Sequence, residues 1–270
     1  MNTPVDNAPA RRTWNRTPVG SQRSVAAPGT PQYFSDLRSY RYGYETPFLP
    51  GFFRYETLRS KRVLEIGVGN GVDAVEMARA GALYTGIDVT ERHIELTRAN
   101  FALQGLPEPR IVQGSLLEHS FGETFDVVYS FGVLHHIPQE RQYLARIADL
   151  LAPDGRLLAG FYSRYSSFNA YLLASWMLKA PRGTAYDDWR SHVAELSPLG
   201  DPVTIRIRSR REIRRLAESQ GLEVVRYAKQ GFTQGHLPLL GRRCAPGGVI
   251  LSGLGRLFGW YHLFEFRKSS

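Results

Sequence analysis

The stretch "VLEIGVGNGVDAVEMARAGALYTGID", Val63 to Asp88, decides the fold. It starts with a short apolar run, passes through three glycines within five positions (Gly67, Gly69, Gly71), continues with helical periodicity to a stop at Gly81, and ends in a second apolar run that closes on Asp88. Strand, bare turn, helix and strand make a βαβ unit. In an open α/β sheet the ligand crevice lies at the carboxyl ends of the strands, where the first turn meets a helix N-terminus. Glycine there lets a ligand approach the main chain, and Asp88, one strand over, can accept hydrogen bonds from both hydroxyls of a ribose. The spacing is G-x-G-x-G, with Val72 where the dinucleotide fingerprint needs its third glycine, which argues against a nicotinamide cofactor.

The alternation continues outward. "ERHIELTRANFALQG" is a helix entered through Thr90 and left at Gly105, "RIVQG" and "FDVVYSFGV" are strands, "RQYLARIADLLAPDG" is an amphipathic helix, and "RLLAGFY" is a strand. Beyond Tyr162 comes a long aromatic segment, then the helix "SRREIRRLAESQG" with a capping box at Ser209 and Glu212, and the strands "LEVVRYAK" and "WYHLFEF". The pattern predicts an α/β fold with a doubly wound, mainly parallel, seven-stranded Rossmann-like sheet and an inserted cap. Its divisions are a disordered basic arm (1–31), an aromatic helical lid (32–61), the nucleotide-binding core (62–162), the substrate cap (163–203), and the rest of the core with a second insertion (204–270).

Of 270 residues 43% are hydrophobic, enough for a large core, and the formal net charge is +9. The charge gathers in Arg11, Arg12, Arg16 and Arg23 of the arm and in "RIRSRREIRR", a balance that permits an anionic partner and equally describes a solvated face. A single cysteine, Cys244, rules out an internal disulfide and a cysteine-rich metal site, and fits a reducing, cytoplasmic setting. The arm has no continuous apolar segment and does not read as a signal peptide.

Four motifs in order, "VLEIGVGNG", "GIDVT", "FDVVYSFGVLHHIP" and "LLAPDGRLLAGFY", resemble the class I S-adenosylmethionine-dependent methyltransferases, in particular the ubiquinone and menaquinone branch. The resemblance covers Arg62 to Tyr162 and implies S-adenosylmethionine as cofactor and S-adenosylhomocysteine as product. It implies that main chain at Gly67 and Gly69 holds the methionine end, with Gly71 also in the cofactor-binding turn, that Glu65 anchors the turn or reaches the methionine amine, and that Asp88 takes the ribose. It also implies Val89 on adenine and Phe131 beside the methionine. Where the family commonly has an acid after the third strand, this chain has Gly114, Ser115 and Leu116; Ser115 can accept from the adenine amino group and Leu116 can cover the ring. Asp73 reads first as a first-turn acid favoured by the helix dipole, with a place near the methionine amine as the alternative.

Methyl transfer needs proximity and orientation, and a base only when the acceptor must lose a proton. The candidate bases are His135 and His136 at the exit of the fourth strand, and His192, which shares a helical face with Glu195. No further histidine has ligand-like spacing, so no metal is expected. In "YRYGYE" an extended chain points Tyr40, Tyr42 and Tyr44 the same way, with Tyr42 toward the cofactor and Tyr40 toward the acceptor. Tyr162, Tyr165 and Arg206 complete the acceptor set, Arg206 sharing one side of an expected strand "TIRIR" with Arg208. The expected reaction is methylation of a small specialised metabolite, with oxygen preferred and an acidic acceptor, a carboxylate of a metabolite or modified peptide, a further version. A lipid or quinone acceptor at a membrane surface and an RNA acceptor are the alternatives. DNA and stable membrane insertion are not expected.

Overall fold

The computed structural model describes residues 8–200, 203–237 and 243–269. Seven strands form one mixed sheet in the order β3-β2-β1-β4-β5-β7-β6. They are β1 (Arg62–Ile66), β2 (Leu83–Asp88), β3 (Arg110–Gln113), β4 (Phe125–Phe131), β5 (Leu151–Tyr162), β6 (Leu222–Gln230) and β7 (Tyr261–Lys268). Strands β1 to β5 run parallel, and β7 inserts antiparallel between β5 and β6. The order reverses at β1, which pairs with β2 on one side and β4 on the other, so a crevice opens there at the carboxyl edge.

Alternate side chains along each strand feed two cores. Leu64, Ile66 and Val128 pack with Leu144 and Ile147 of α6 (Glu140–Leu150) and with Ile213 of α9 (Arg210–Glu218). Val63, Val127 and Tyr129 face the other way, onto Met77 of α4 (Val72–Arg79) and Leu49 and Phe53 of α3 (Leu49–Phe53). On the same flank, α5 (Glu91–Leu103) packs its Leu96 against Tyr33, Phe34 and Leu37 of α2 (Pro31–Tyr40). Helix α2 begins where Pro31 fixes the first turn and Thr30 Oγ1 accepts from the Tyr33 N–H.

Three expectations are corrected. The disordered arm does not hold for residues 8–31: Ala8–Arg16 is a helix, α1, and the chain beyond it runs across the carboxyl edge of the sheet. Its anchors are long-range, the Trp14 ring stacked on His93 and the Asn70 side-chain amide donating to the Val19 carbonyl. Residues 1–7 lie outside the described residues. "YRYGYE" is not extended, because α2 runs on into a π-helical turn over Arg41–Glu45, which sends Tyr40 and Tyr44 one way and Tyr42 another. "TIRIR" forms no strand beyond a single bridge between Ser163 and Arg208, its backbone instead tied by the Arg206 N–H to the His135 carbonyl. Between β5 and that segment stand α7 (Ser167–Lys179) and α8 (Tyr186–Glu195), and α10 (Val249–Phe258) precedes β7.

Candidate active site

One cavity of about 480 Å³ lies over the carboxyl ends of β1, β2 and β4. Its floor is the glycine turn. Gly67, Gly69 and Gly71 all have positive φ (79°, 54° and 72°), and a side chain on Gly67 would run into Val133. The Gly67 N–H donates to the Ile87 carbonyl at 2.8 Å, so at this position only the bare surface and the carbonyl are offered to a ligand.

Asp88 closes one end. Its carboxylate accepts from the Thr90 N–H at 2.8 Å and the Gly69 N–H at 3.4 Å, with His93 Nδ1 3.4 Å away. Burial alone would raise its pKa, but His93 and the Thr90 hydrogen bonds outweigh that and hold it below the usual carboxylate range. His93 in turn accepts from the Val19 N–H, which ties the N-terminal segment to the ribose acid. Val89, Leu116, Val133 and Ile137 give this end an apolar wall.

The other end is polar and charged. Asp73, in the first turn of α4, accepts from Arg41 at 2.5 Å, Tyr42 at 2.6 Å and Tyr129 at 2.7 Å. Burial opposes its charge, yet the Arg41 guanidinium and these three donors keep its pKa depressed. Glu65 accepts from Tyr84 at 2.5 Å, and its pKa is raised well above the ordinary value by burial and then by the nearby Asp73. The Arg41 guanidinium lies 4.6 Å over the ring of Phe131. An ammonium suits Glu65 and Asp73, and a carboxylate suits Arg41.

The sequence-selected residues divide accordingly. Glu65, Gly67, Gly69, Asp88, Val89, Leu116 and Phe131 line the cavity, and Gly71 seats α4 against Thr97. Tyr42 does not line it; its hydroxyl is spent on Asp73, and Arg41 takes the place expected for it. Ser115 is turned away, with its hydroxyl 2.7 Å from that of Tyr143 in the core, which leaves no serine for an adenine amino group. Asp73 is the hub of a buried network rather than only a dipole-favoured acid.

Among the candidate bases, only His136 lines the cavity. Its Nδ1 donates to the Thr204 carbonyl at 2.8 Å, so the neutral ring carries its lone pair on Nε2, 3.9 Å from Glu195 Oε1. His135 is buried under Tyr162, ring centroids 3.6 Å apart, and burial and the neighbouring His136 push its pKa well down. His192 caps the end of α8 by donating to the Ser197 carbonyl and faces Trp189, so it does not reach the cavity. Its expected partner Glu195 does, and accepts instead from the Tyr162 hydroxyl at 2.8 Å. One ligand atom each from His135, His136 and Glu195 fall within 4.8 Å of one another, with Tyr162 already on the carboxylate.

Of the acceptor residues, Tyr40 and Tyr162 line the cavity, Tyr162 stacked on Trp260 at 4.4 Å with Tyr261 beside it. Tyr165 is exposed, and Arg206 donates to the Ile137 carbonyl outside the cavity. Sequence reasoning missed Trp14, Arg41, His93 and the pairing of Glu195 with His136. Only Arg41 left a usable signal, as a cation between the lid tyrosines.

A family model described as a methyltransferase domain matches residues 63–155. The chain is built on a class I S-adenosylmethionine-dependent methyltransferase domain. The ubiquinone biosynthesis O-methyltransferase of Neisseria meningitidis is 32% identical over 143 residues, 51% of this chain and 59% of that protein. That of Haemophilus ducreyi is 34% identical over 137 residues, 47% and 57%. The chain thus spans less than two thirds of the length of these curated relatives. Magnesium protoporphyrin IX methyltransferase from Synechocystis PCC 6803 with bound S-adenosylhomocysteine superposes with a TM-score of 0.63 at 16% identity, over 98% of this chain and 100% of that one. Mitomycin 7-O-methyltransferase does so with 0.52 at 20%, over 80% and 50%. These two show the fold.

The cofactor of the methyltransferase domain is S-adenosylmethionine, and the crevice has the chemistry to hold it. The nucleoside requires an acid and an apolar wall, met by Asp88 with Val89 and Leu116, and the amino-acid end requires both charges, met by Arg41 with Glu65 and Asp73. No described helix is long and apolar enough to cross a membrane.

Proposed function

We propose that this protein transfers a methyl group to the hydroxyl of a small aromatic acceptor, with His136 as the general base. When bound, S-adenosylmethionine supplies a methyl already activated on a sulfonium, so the protein need only orient the acceptor and take its proton. The observation that carries the reading is the tautomer of His136: the Thr204 carbonyl holds the Nδ1 proton, which leaves Nε2 free to accept one from the cavity side. Glu195, across the same cavity wall, steadies the imidazolium that results. The slot formed by Tyr162, Trp260, Tyr261 and Phe168 suits a flat ring and excludes water from the transfer.

Two acceptor classes fit that slot. A phenolic specialised metabolite is the reading drawn from the large private cap. A phenolic quinone precursor is favoured by the similarity to ubiquinone biosynthesis O-methyltransferases. Binding of an acidic acceptor has less support, because Arg206 is occupied and Arg41 is paired with Asp73; Arg23, over Tyr40, is the remaining arginine of the cavity wall among the described residues. Incubation with methyl-labelled cofactor and extracts of quinone-making or metabolite-producing cells, followed by mass spectrometry of the labelled product, tests the proposal and separates the two classes. The reading requires label on a phenolic oxygen and a loss of about 10²-fold or more in His136→Gln. Label on nitrogen or carbon, or full activity in that variant, refutes it.

A further inference from the structure

Five carboxyl groups line the active-site cavity, Glu45, Glu65, Asp73, Asp88 and Glu195, against two arginines, Arg23 and Arg41. Four of the five already have a place: Asp88 at the ribose, Glu65 and Asp73 at the amino-acid end, and Glu195 beside His136. Glu45 has none in the reaction. Its ion pair among the described residues is a long contact to Arg41 at 3.4 Å, and that guanidinium is committed to Asp73 at 2.5 Å. Burial favours the neutral form of Glu65, so the carboxylates of the lining outnumber its guanidinium groups by two. The sulfonium of the cofactor offsets one of these charges. The acceptor is left to meet the other.

The π-helical turn over Arg41–Glu45 aims Glu45 at the cavity. Its wider winding brings Tyr40, Tyr44 and Glu45 to the cavity side together, with the two rings 5.4 Å apart. Burial, and then Glu45, push the Tyr40 hydroxyl up to about 12. Burial and then Glu45 also raise the Tyr261 hydroxyl, and Glu45 adds to the effect of burial and Glu195 on Tyr162, so this carboxylate stands close to the rings of the acceptor slot. A carboxylate among electron-rich rings suits an ammonium ion, which the ring faces attract and the carboxylate neutralises. The Tyr40 ring already holds one cation in this structure, the exposed Arg23 guanidinium 4.5 Å over its centre. We propose that Glu45, with Tyr40, Tyr44 and Tyr261, binds a protonated amine carried by the acceptor. The inference rests on the slot of Tyr162 and Trp260 being the acceptor site. With the reacting hydroxyl at His136 and the ammonium at Glu45, the acceptor is a phenol that also bears an amine, which selects the specialised metabolite over the quinone precursor.

Binding is read without methyl transfer, so its outcome is independent of the base and of the atom methylated. The test is calorimetric titration of the full chain, saturated with S-adenosylhomocysteine, with tyramine, 4-ethylphenol and 4-hydroxyphenylacetate, which share a phenol and differ in the charge of the substituent. Tyramine is expected to bind roughly tenfold or more tightly than 4-ethylphenol, and 4-hydroxyphenylacetate more weakly than either. Glu45→Gln is expected to bring tyramine down to the level of 4-ethylphenol, whose own affinity stays unchanged. Tyr40→Leu is expected to cut the preference roughly two- to fivefold, and melting temperatures check that both variants are folded. Equal affinity for tyramine and 4-ethylphenol in the parent, or a preference that survives in Glu45→Gln, overturns this proposal alone. Tightest binding of 4-hydroxyphenylacetate overturns it in favour of an anion held by Arg23. Binding of none of the three removes the acceptor slot and this proposal with it. Label on the amine nitrogen with the tyramine preference intact would sink oxygen methylation and support the subsite.

Discussion

Asp73→Asn removes one charge and keeps the shape of the side chain, so it isolates the electrostatic role of the hub beneath the lid. In the parent the carboxylate receives Arg41, Tyr42 and Tyr129, and the Asp73 and Arg41 side chains are 7% and 20% exposed. Breaking a buried ion pair from one side costs about 3–5 kcal/mol, because the other charge stays buried without compensation. Glu45, 3.4 Å from Arg41, retains part of the balance, which places the expected loss near the lower end, about 3 kcal/mol. For a chain of this size that lowers the melting temperature by roughly 6–12 °C. The double variant Arg41→Met/Asp73→Leu removes both charges and leaves the Tyr42 hydroxyl without its acceptor, so it is expected to lose less than the sum of the single variants. Urea unfolding followed by circular dichroism measures the parent, Asp73→Asn, the double variant and its two single variants. A loss under 1 kcal/mol in Asp73→Asn, or strict additivity in the double variant, refutes the network.

The folded-state pKa values of Asp73 and Asp88 are both depressed, so their stabilisation is present above their unfolded values near 4 and is lost as pH falls through the folded ones. Glu65, with a raised pKa, works in the opposite sense, so urea midpoints between pH 7 and pH 3 should fall in the parent and fall less in an Asp73→Asn/Asp88→Asn variant. Gly67→Ala places a methyl against Val133 at a φ of 79° and is expected to weaken cofactor binding by at least tenfold in calorimetry, whereas Gly105→Ala, with open space around it, should leave affinity unchanged. Ser115→Ala is expected to cost about 1 kcal/mol of stability through the lost Tyr143 contact and no cofactor affinity. Dialysis against EDTA should leave methyl transfer unchanged; a loss restored by a divalent ion would make His135, His136 and Glu195 a metal site.

The cofactor half of the site was legible because its determinants are local. Strand periodicity, a turn that needs three positive φ values and an acid at the next strand end all lie within Val63 to Asp88. The acceptor half was not, because its determinants join residues far apart in sequence. The composition of residues 8–31 resembles disorder, and what orders them, Trp14 on His93 and Val19 on Asn70, sits more than fifty residues away. Helical spacing put His192 and Glu195 on one face, but α8 ends at Glu195, and the returning chain presents the Ser197 carbonyl to His192. Tyr42 was misplaced because one π-helical turn rotates the side chains relative to an extended segment. Arg206 and Arg208 alternate like a strand, yet the Arg206 N–H goes to the His135 carbonyl, and only Arg208 meets the end of β5, its N–H donating to the Tyr162 carbonyl and its carbonyl accepting from the Arg164 N–H.

The central claim is that the crevice at the carboxyl edge of β1 and β2 holds S-adenosylmethionine with Asp88 on its ribose. Isothermal titration of that cofactor into the parent and into Asp88→Ala tests it most directly, with the melting temperature of the variant as a check that it is folded. The parent is expected to show one site, and the folded variant an affinity at least tenfold weaker, the worth of one charge-assisted hydrogen bond. No heat with the parent, or equal affinity in the two proteins, would contradict it.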